Sequence, residues 1–326
     1  ERFVLQSKDF NAAHYDGPNQ GIKALLNGLQ EYDWIPIYEQ DQPIALYRGD
    51  ASITIEPGGQ IELSGAPHSD VHKIFEESKA YNTELNKVGD HLGLRFLSIG
   101  HQPKQARNEL PWMPKQRYQI MRAYMPEQGP LGLDMMQSTC AMHINVDFSS
   151  ELDMVKKYQV ALALQPLVTA LFANSPFVQG KPGAYLSYRS YIWQHTDDDR
   201  CGNPSFVFEP DMGFERYTDY VLDVPMYYII REGKYINASG LSFRDFMAGQ
   251  LAVLPGERPL LEDWITHLST VFPSVRLKKH LEMRGADAGN SSLHVSALAA
   301  LWAGILYDTE VLDEAWARIV TWTPEE

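Results

Sequence analysis

The sequence predicts an α+β fold: a curved, mainly antiparallel sheet with helices packed on its outer face. Three observations lead there. Several short segments alternate apolar and polar residues with a period of two, as half-buried strands do. Longer stretches between them carry apolar residues near helical spacing. The two kinds of element follow one another without the regular rhythm of a doubly wound parallel sheet.

The helical pattern is plainest over 69–92, where Val71, Ile74, Phe75, Tyr81, Leu85, Val88 and Leu92 share a face. A shorter helix is expected over 21–32. Another begins near Ser149 or Ser150, with Asp153 three residues beyond Ser150 in an approximate capping box. Further helices are expected over 243–251, 260–272, 293–307 and 310–321.

The strands are one-sided. Ser52 to Glu56 alternates, Pro57-Gly58-Gly59 turns, and Gln60 to Ser64 alternates again, which is a hairpin signature. With those three residues as the loop, Glu56 faces Gln60 and Thr54 faces Glu62. Thr54, Glu56, Gln60, Glu62 and Ser64 then share one face, and Ile53, Ile55, Ile61 and Leu63 the other. Residues 139–148 repeat the pattern, with Thr139, His143, Asn145 and Asp147 opposite Cys140, Met142, Ile144, Val146 and Phe148. Glu282 and Arg284 alternate with Leu281 and Met283, and 185–193, read as a strand, puts Arg189 with Ser187 and Tyr191. The polar faces line a cleft in this scheme, and the oily faces meet the helices.

Carboxylates on strands with a His nearby suit a hard divalent cation such as magnesium, which takes oxygen ligands and shares itself with substrate phosphates. Glu56, Glu62 and Glu282 offer the oxygens, and His143 a nitrogen. The same residues also fit the wet face of a half-exposed hairpin and a hydrogen-bonded structural His. Arg117, Arg122, Arg189 and Arg284 offer planar forks for a carboxylate or phosphate, or form surface ion pairs. Cys140 has the parity of a buried structural thiol. Cys201 follows Asp197-Asp198-Asp199, a solvated loop by composition, whose charge opposes thiolate formation.

Composition narrows the alternatives. The chain of 326 residues carries 28 Lys+Arg against 42 Asp+Glu, a formal net charge of −14, which disfavours nucleic acid as a partner. Two cysteines do not make a disulfide scaffold and suit a reducing compartment. No apolar run approaches membrane-spanning length, and no cationic-then-apolar leader opens the chain. There is no P-loop, dinucleotide fingerprint or zinc spacing, so a nucleotide site here is of another kind.

Seven ordered blocks carry a family resemblance. They are 55–67 (Ile-Glu-Pro-Gly-Gly-Gln-Ile-Glu-Leu-Ser-Gly-Ala-Pro), 113–122 (Met-Pro-Lys-Gln-Arg-Tyr-Gln-Ile-Met-Arg), 131–136, 145–151, 172–177, 223–227 (Asp-Val-Pro-Met-Tyr) and 281–287 (Leu-Glu-Met-Arg-Gly-Ala-Asp). Together they span nearly the whole chain, which resembles glutamate–cysteine ligase of the type shared by plants and many proteobacteria.

The resemblance implies a glutamine-synthetase-like fold and a single catalytic domain over 1–326, lacking the family's first strand and its C-terminal segment beyond Thr-Pro-Glu-Glu. It implies ATP-dependent joining of the glutamate γ-carboxylate to the cysteine amine through an acyl phosphate, the first step of glutathione biosynthesis. ATP is then a co-substrate, and two or three Mg2+ ions are expected. Glu62 and Glu282 match metal-binding glutamates; Glu56, His143 and Glu1 stand in the same group, Glu1 as the second member of a Glu-x-Glu pair. Arg117 and Arg189 match arginines that hold glutamate, Tyr227 an aromatic of the cysteine pocket, and Thr139 a neighbour of the substrate. Arg284 is placed to meet the phosphoryl group, with Glu282 beside it in catalysis. The implied partners are small molecules, with no nucleic acid and no membrane, for a monomer or homodimer. The cysteine count favours a bacterial, cytoplasmic type, with the plastid as the location for a plant protein. Two other readings stay open: a glutamate ligase with another amine acceptor, and a non-catalytic relative that binds amino acid or nucleotide.

Overall fold

Several helices lie where the apolar spacing puts them, while those at Gln116–Gln128, Gly132–Ser138 and Phe214–Asp223 were not expected from it. The structure, a computed structural model, describes residues 1–17 and 21–322; Thr323–Glu326 lies outside the described residues. The helix expected over 69–92 runs from Val71 to Leu92. Asp70 opens it by accepting a hydrogen bond from the Lys73 N–H, and Gly93 closes it in a left-handed conformation, φ 65°. Ser150 likewise caps the helix Glu151–Leu171 through the Asp153 N–H. Asp153 returns the contact one residue earlier than a capping box would, at the Ser149 N–H.

The strands form several sheets rather than one continuous bowl. A four-stranded antiparallel sheet runs Ile35–Glu39, Gln42–Arg48, Ala51–Ile55, Ile61–Ser64. A three-stranded antiparallel sheet has Leu281–Asp287 between Val275–Leu277 and Ala141–Val146. The first residues of the chain join the two. Arg2 exchanges backbone hydrogen bonds with Ile61 (2.9 and 2.8 Å), and the Ala141 N–H donates to the Glu1 carboxylate at 2.5 Å. Where one continuous curved sheet was expected, two separate sheets are bridged by the first residues of the chain.

Each sheet buries its oily face under its own helices. Ile53, Ile55 and Ile61 pack with Leu25, Leu26, Tyr81 and Leu85 from the first two helices. Met142, Val146, Leu281 and Met283 pack with Met154, Tyr158 and Leu162 and with Leu298 and Trp302 of the helix Ser292–Leu306. Each such aliphatic side chain contributes about 1.5–3 kcal/mol by leaving water, so the two cores hold the two polar faces toward each other.

Two expectations need correction. Residues 185–193 do not form a strand: Tyr188–Trp193 is a helix, with Ser187 accepting from the Ser190 N–H. A serine cap and an i,i+4 Arg189/Trp193 pair outweigh a period of two carried mainly by aromatics. The helices expected over 243–251 and 260–272 are shorter, Phe243–Met247 and Leu261–Leu268. Gly249, at φ 72°, follows the first, and 272–273 pairs as a strand with Cys201–Gly202.

Candidate active site

The hairpin places its carboxylates as its period requires. Thr54 pairs with Glu62 and Ser52 with Ser64, and the Glu56 N–H donates to the Gln60 carbonyl. The turn depends on its glycines. A Cβ on Gly58 would sit 2.2 Å from the Gln137 carbonyl oxygen, and Gly59 has φ 87°. Buried Gln60 locks the turn, accepting from the Gly58 N–H and donating to the Thr139 carbonyl at 3.0 Å. Because Arg2 pairs with Ile61, Glu1 arrives next to Glu62.

Facing this hairpin is the three-stranded sheet. Its register sets Arg276 opposite Glu282 and Glu282 opposite Asn145. Arg276 Nε donates to Glu282 at 2.6 Å and Arg284 Nη1 at 3.2 Å, while His143 Nδ1 stands 4.0 Å from the same carboxylate. The helix Tyr188–Trp193 brings in Arg189, whose guanidinium donates to the carbonyls of Arg284 (2.8 Å) and Gly285 (3.3 Å). Buried Asp287 lies 4.0 Å from it and also accepts from Ser175 and Ser187, fixing the start of that helix.

The cavity between the two sheets has a volume of about 330 Å³. Glu1, Glu56, Glu62 and Glu282 line it together with Arg117, Arg189, Arg276, Arg284 and Lys278. Five cationic groups against four carboxylates reverse, locally, the acidic balance of the chain. One ligand atom each from Glu1, Glu62 and His143 lies within 4.8 Å of the others. Burial and the charge of Glu62 raise the Glu1 carboxyl to about 7, and the same two causes raise Glu56. Burial and Arg284 hold His143 well below the usual imidazole range, so it is neutral, and its Nε2 is buried without a partner. Crowded carboxylates beside a neutral, orphaned imidazole nitrogen fit a divalent cation. Glu282 is the opposite case: burial disfavours its charge, yet Arg284 and Arg276 bring its carboxyl well below normal. At the other end, burial opposes the charge of Arg117, but Tyr118, Tyr228 and Glu56 hold its proton more tightly than usual.

The structure therefore brings together Glu1, Glu56, Glu62, Thr139, His143, Arg117, Arg189, Glu282 and Arg284. It does not bring Tyr227. That ring is buried beneath the Arg200 guanidinium, 3.9 Å away, and its hydroxyl meets the Met125 sulfur. Its neighbour Tyr228 lines the cavity instead, because adjacent residues at a strand edge face opposite ways. Arg122 is exposed and lies over Trp112, outside the lining. The Asp197–Asp199 run is not wholly solvated: Asp197 is buried against Arg200 at 2.6 Å. Cys140 is buried and free, and its thiol is raised well above normal by burial. Burial and Asp197 push the Cys201 thiol up to about 12.

Arg276, Lys278, Trp193 and Tyr228 line the cavity but were not singled out from the sequence. For Arg276 a signal existed. Val275-Arg276-Leu277 alternates like Leu281-Glu282-Met283 with three residues between, so hairpin pairing puts Arg276 across from Glu282.

A sequence profile described as glutamate-cysteine ligase family 2 matches residues 1–326. The chain belongs to that family. Among its relatives, glutamate–cysteine ligase B, chloroplastic, of Oryza sativa subsp. japonica is 51% identical over 327 aligned residues, covering 100% of this chain and 65% of the relative. The Arabidopsis thaliana chloroplastic glutamate–cysteine ligase is 50% identical, with 100% and 62% covered. The Medicago truncatula protein of the same name is 52% identical over 306 residues, with 94% and 60% covered. The chain thus spans under two thirds of the length of these family members. All three are plant proteins named as chloroplastic. Among the described residues, no single helix is long and apolar enough to cross a membrane.

Proposed function

We propose that the protein is an ATP-dependent glutamate–cysteine ligase, catalysing the first step of glutathione biosynthesis. The observation that carries this reading is the meeting of four carboxylates and five cationic groups in one cavity, in a chain half identical to relatives named for that reaction.

In this reading Arg117 and Arg189 hold the glutamate substrate, with Thr139 beside it. Arg189 suits the task because Asp287 and the 284–285 carbonyls fix its fork before substrate arrives. Glu1, Glu62 and His143, with Glu56 and Glu282 nearby, hold magnesium, which when bound offsets negative charge on the phosphate oxygens of ATP. Arg284 faces the phosphoryl group, and Glu282 orients it at 3.2 Å. The γ-carboxylate of glutamate takes the terminal phosphoryl group and ADP departs. The cysteine amine then bonds the γ-carbonyl carbon, the C–O bond to the phosphoryl group breaks, phosphate leaves with that oxygen, and the ammonium proton passes to solvent. The two-sheet cup is consistent with a glutamine-synthetase-like arrangement, and the plant relatives favour a plastid over the bacterial cytoplasm as the location. The substrates are small molecules, for a monomer or homodimer.

The test is phosphate release from ATP with magnesium and glutamate, comparing cysteine with alanine, 2-aminobutyrate and simple amines. Release that requires glutamate and is greatest with cysteine is expected. Equal turnover with unrelated amines removes the cysteine assignment, and no release with any acceptor removes catalysis.

A further inference from the structure

A second cavity, of about 290 Å³, adjoins the first. Arg189, Trp193, Phe272 and Arg284 line both, so these four side chains form a partition. The two chambers differ in chemistry. Four carboxylates line the first; none lines the second, which keeps the two arginines.

Its far wall is built around Gln165, on the helix Glu151–Leu171. The Gln165 carbonyl oxygen accepts from the Gly285 N–H at 3.0 Å. A Cβ at position 285 would stand 2.1 Å from that oxygen, so the strand needs glycine there for the amide to approach. This bond settles which way the amide points, leaving Nε2 as the outstanding donor. Gln165 is 3% exposed and its Nε2 has no partner. Two other lining residues carry buried donors without partners, Trp193 at Nε1 and Arg189 at Nε. All three are N–H groups, so the lining lacks acceptors rather than donors. A donor buried without a partner is costly, and three around one chamber point to an acceptor-rich ligand.

We propose that this second chamber binds inorganic phosphate, as a holding site through which the anion leaves the reaction. Two guanidinium groups, outstanding N–H donors and no carboxylate suit a tetrahedral oxyanion with acceptors on every side. The volume lies at the small end of ligand pockets, which favours a small anion over a whole nucleotide. The first chamber mixes four carboxylates with its five cationic groups, whereas no carboxylate opposes an anion in the second. The role in product departure rests on the ligase reading; the binding of phosphate does not.

The test is calorimetric titration of inorganic phosphate into the protein in chloride buffer, with no ATP, glutamate or cysteine present. Wild type is expected to bind in the millimolar range. Gln165→Glu keeps an oxygen facing the Gly285 N–H and replaces the donor with a carboxylate oxygen; it should weaken phosphate about tenfold or more. Asn203→Asp adds a negative charge at an exposed lining position that does not threaten the fold; it should weaken phosphate about threefold. ADP, titrated in parallel, should keep its affinity within about twofold in both variants. Unchanged phosphate affinity in the two variants overturns the proposal, as does no binding by wild type up to about 50 mM. Weakening of ADP without weakening of phosphate also overturns it, by assigning the chamber to the nucleotide. If Gln165→Glu fails to fold, Asn203→Asp decides. Acceptor-dependent turnover is a separate measurement, so the ligase reading survives or fails independently.

Discussion

Glu62 and Glu282 line the same cavity, yet they are opposites in electrostatic setting. Glu62 sits among Glu1, Glu56 and a neutral His143, and among the described residues no ion pair reaches it within 4.0 Å. Glu282 is held by Arg276 at 2.6 Å and by Arg284 at 3.2 Å. Burial and the charge of Glu62 raise the carboxyl groups of Glu1 and Glu56, whereas two guanidinium groups hold that of Glu282 well below normal. The difference teaches that a carboxylate can serve a phosphoryl-transfer site in two ways. One keeps a vacancy of charge for a cation to fill; the other spends its charge inside the protein, aiming an arginine.

The largest expected effect separates the two through activity. Glu62→Gln should lower acceptor-dependent phosphate release by about 10³-fold or more, while its melting temperature stays at or above that of wild type because a like charge has been removed. Near-normal turnover at saturating magnesium would break the comparison at its first term. In the same melts, magnesium should raise the stability of wild type more than that of the variant.

A second substitution tests the other term. Glu282→Gln leaves Arg276 and Arg284 buried side by side without their anion, and should destabilise the fold by about 3–5 kcal/mol in chemical denaturation. Arg276→Met in the same background should restore part of that loss, since one of the two unpaired charges is gone. A Glu282→Gln protein as stable as wild type would show that the arginines do not depend on this carboxylate.

The smallest effect comes from a buried titrating group that, among the described residues, forms no ion pair. His267 Nε2 donates to the Val221 carbonyl at 2.8 Å, and the ring stacks on Phe243, with centroids 4.7 Å apart. Burial depresses its pKa from 6.5 to about 4. Below pH 6.5 the unfolded chain therefore binds a proton that the native protein refuses, and stability falls with pH until about 4. The loss between pH 7 and pH 5 should be about 2 kcal/mol, and His267→Gln should flatten that part of the profile. An unchanged slope in the variant would mean that other groups dominate acid unfolding.

Much of the site was legible because alternation is a local property. The period of two assigned Glu56 and Glu62 to one face of the hairpin, and Glu282 and Arg284 to one face of their strand, and the registers agree. What alternation could not reach was a residue whose role depends on a distant partner. Arg276 matters because of the strand it pairs with, and Trp193 because Tyr188–Trp193 is a helix rather than a strand. Tyr227 shows the limit most sharply. Its motif pointed to a pocket, but one step along the chain turns a side chain to the other face, and it is Tyr228 that reaches the cavity.

The sequence by itself determined which side of each strand is oily, where the long helices begin, and the family to which the chain belongs. Those follow from spacing, caps and ordered motifs, which act over a few residues at a time. Only the tertiary structure decided that Glu1 would stand beside Glu62, that Glu282 would be claimed by two arginines, and that Arg189 would divide a chamber lined by carboxylates from one without them. The reason is physical: the burial and charge of a group are set by whatever packs against it, and here the decisive neighbours lie up to 140 positions apart along the chain.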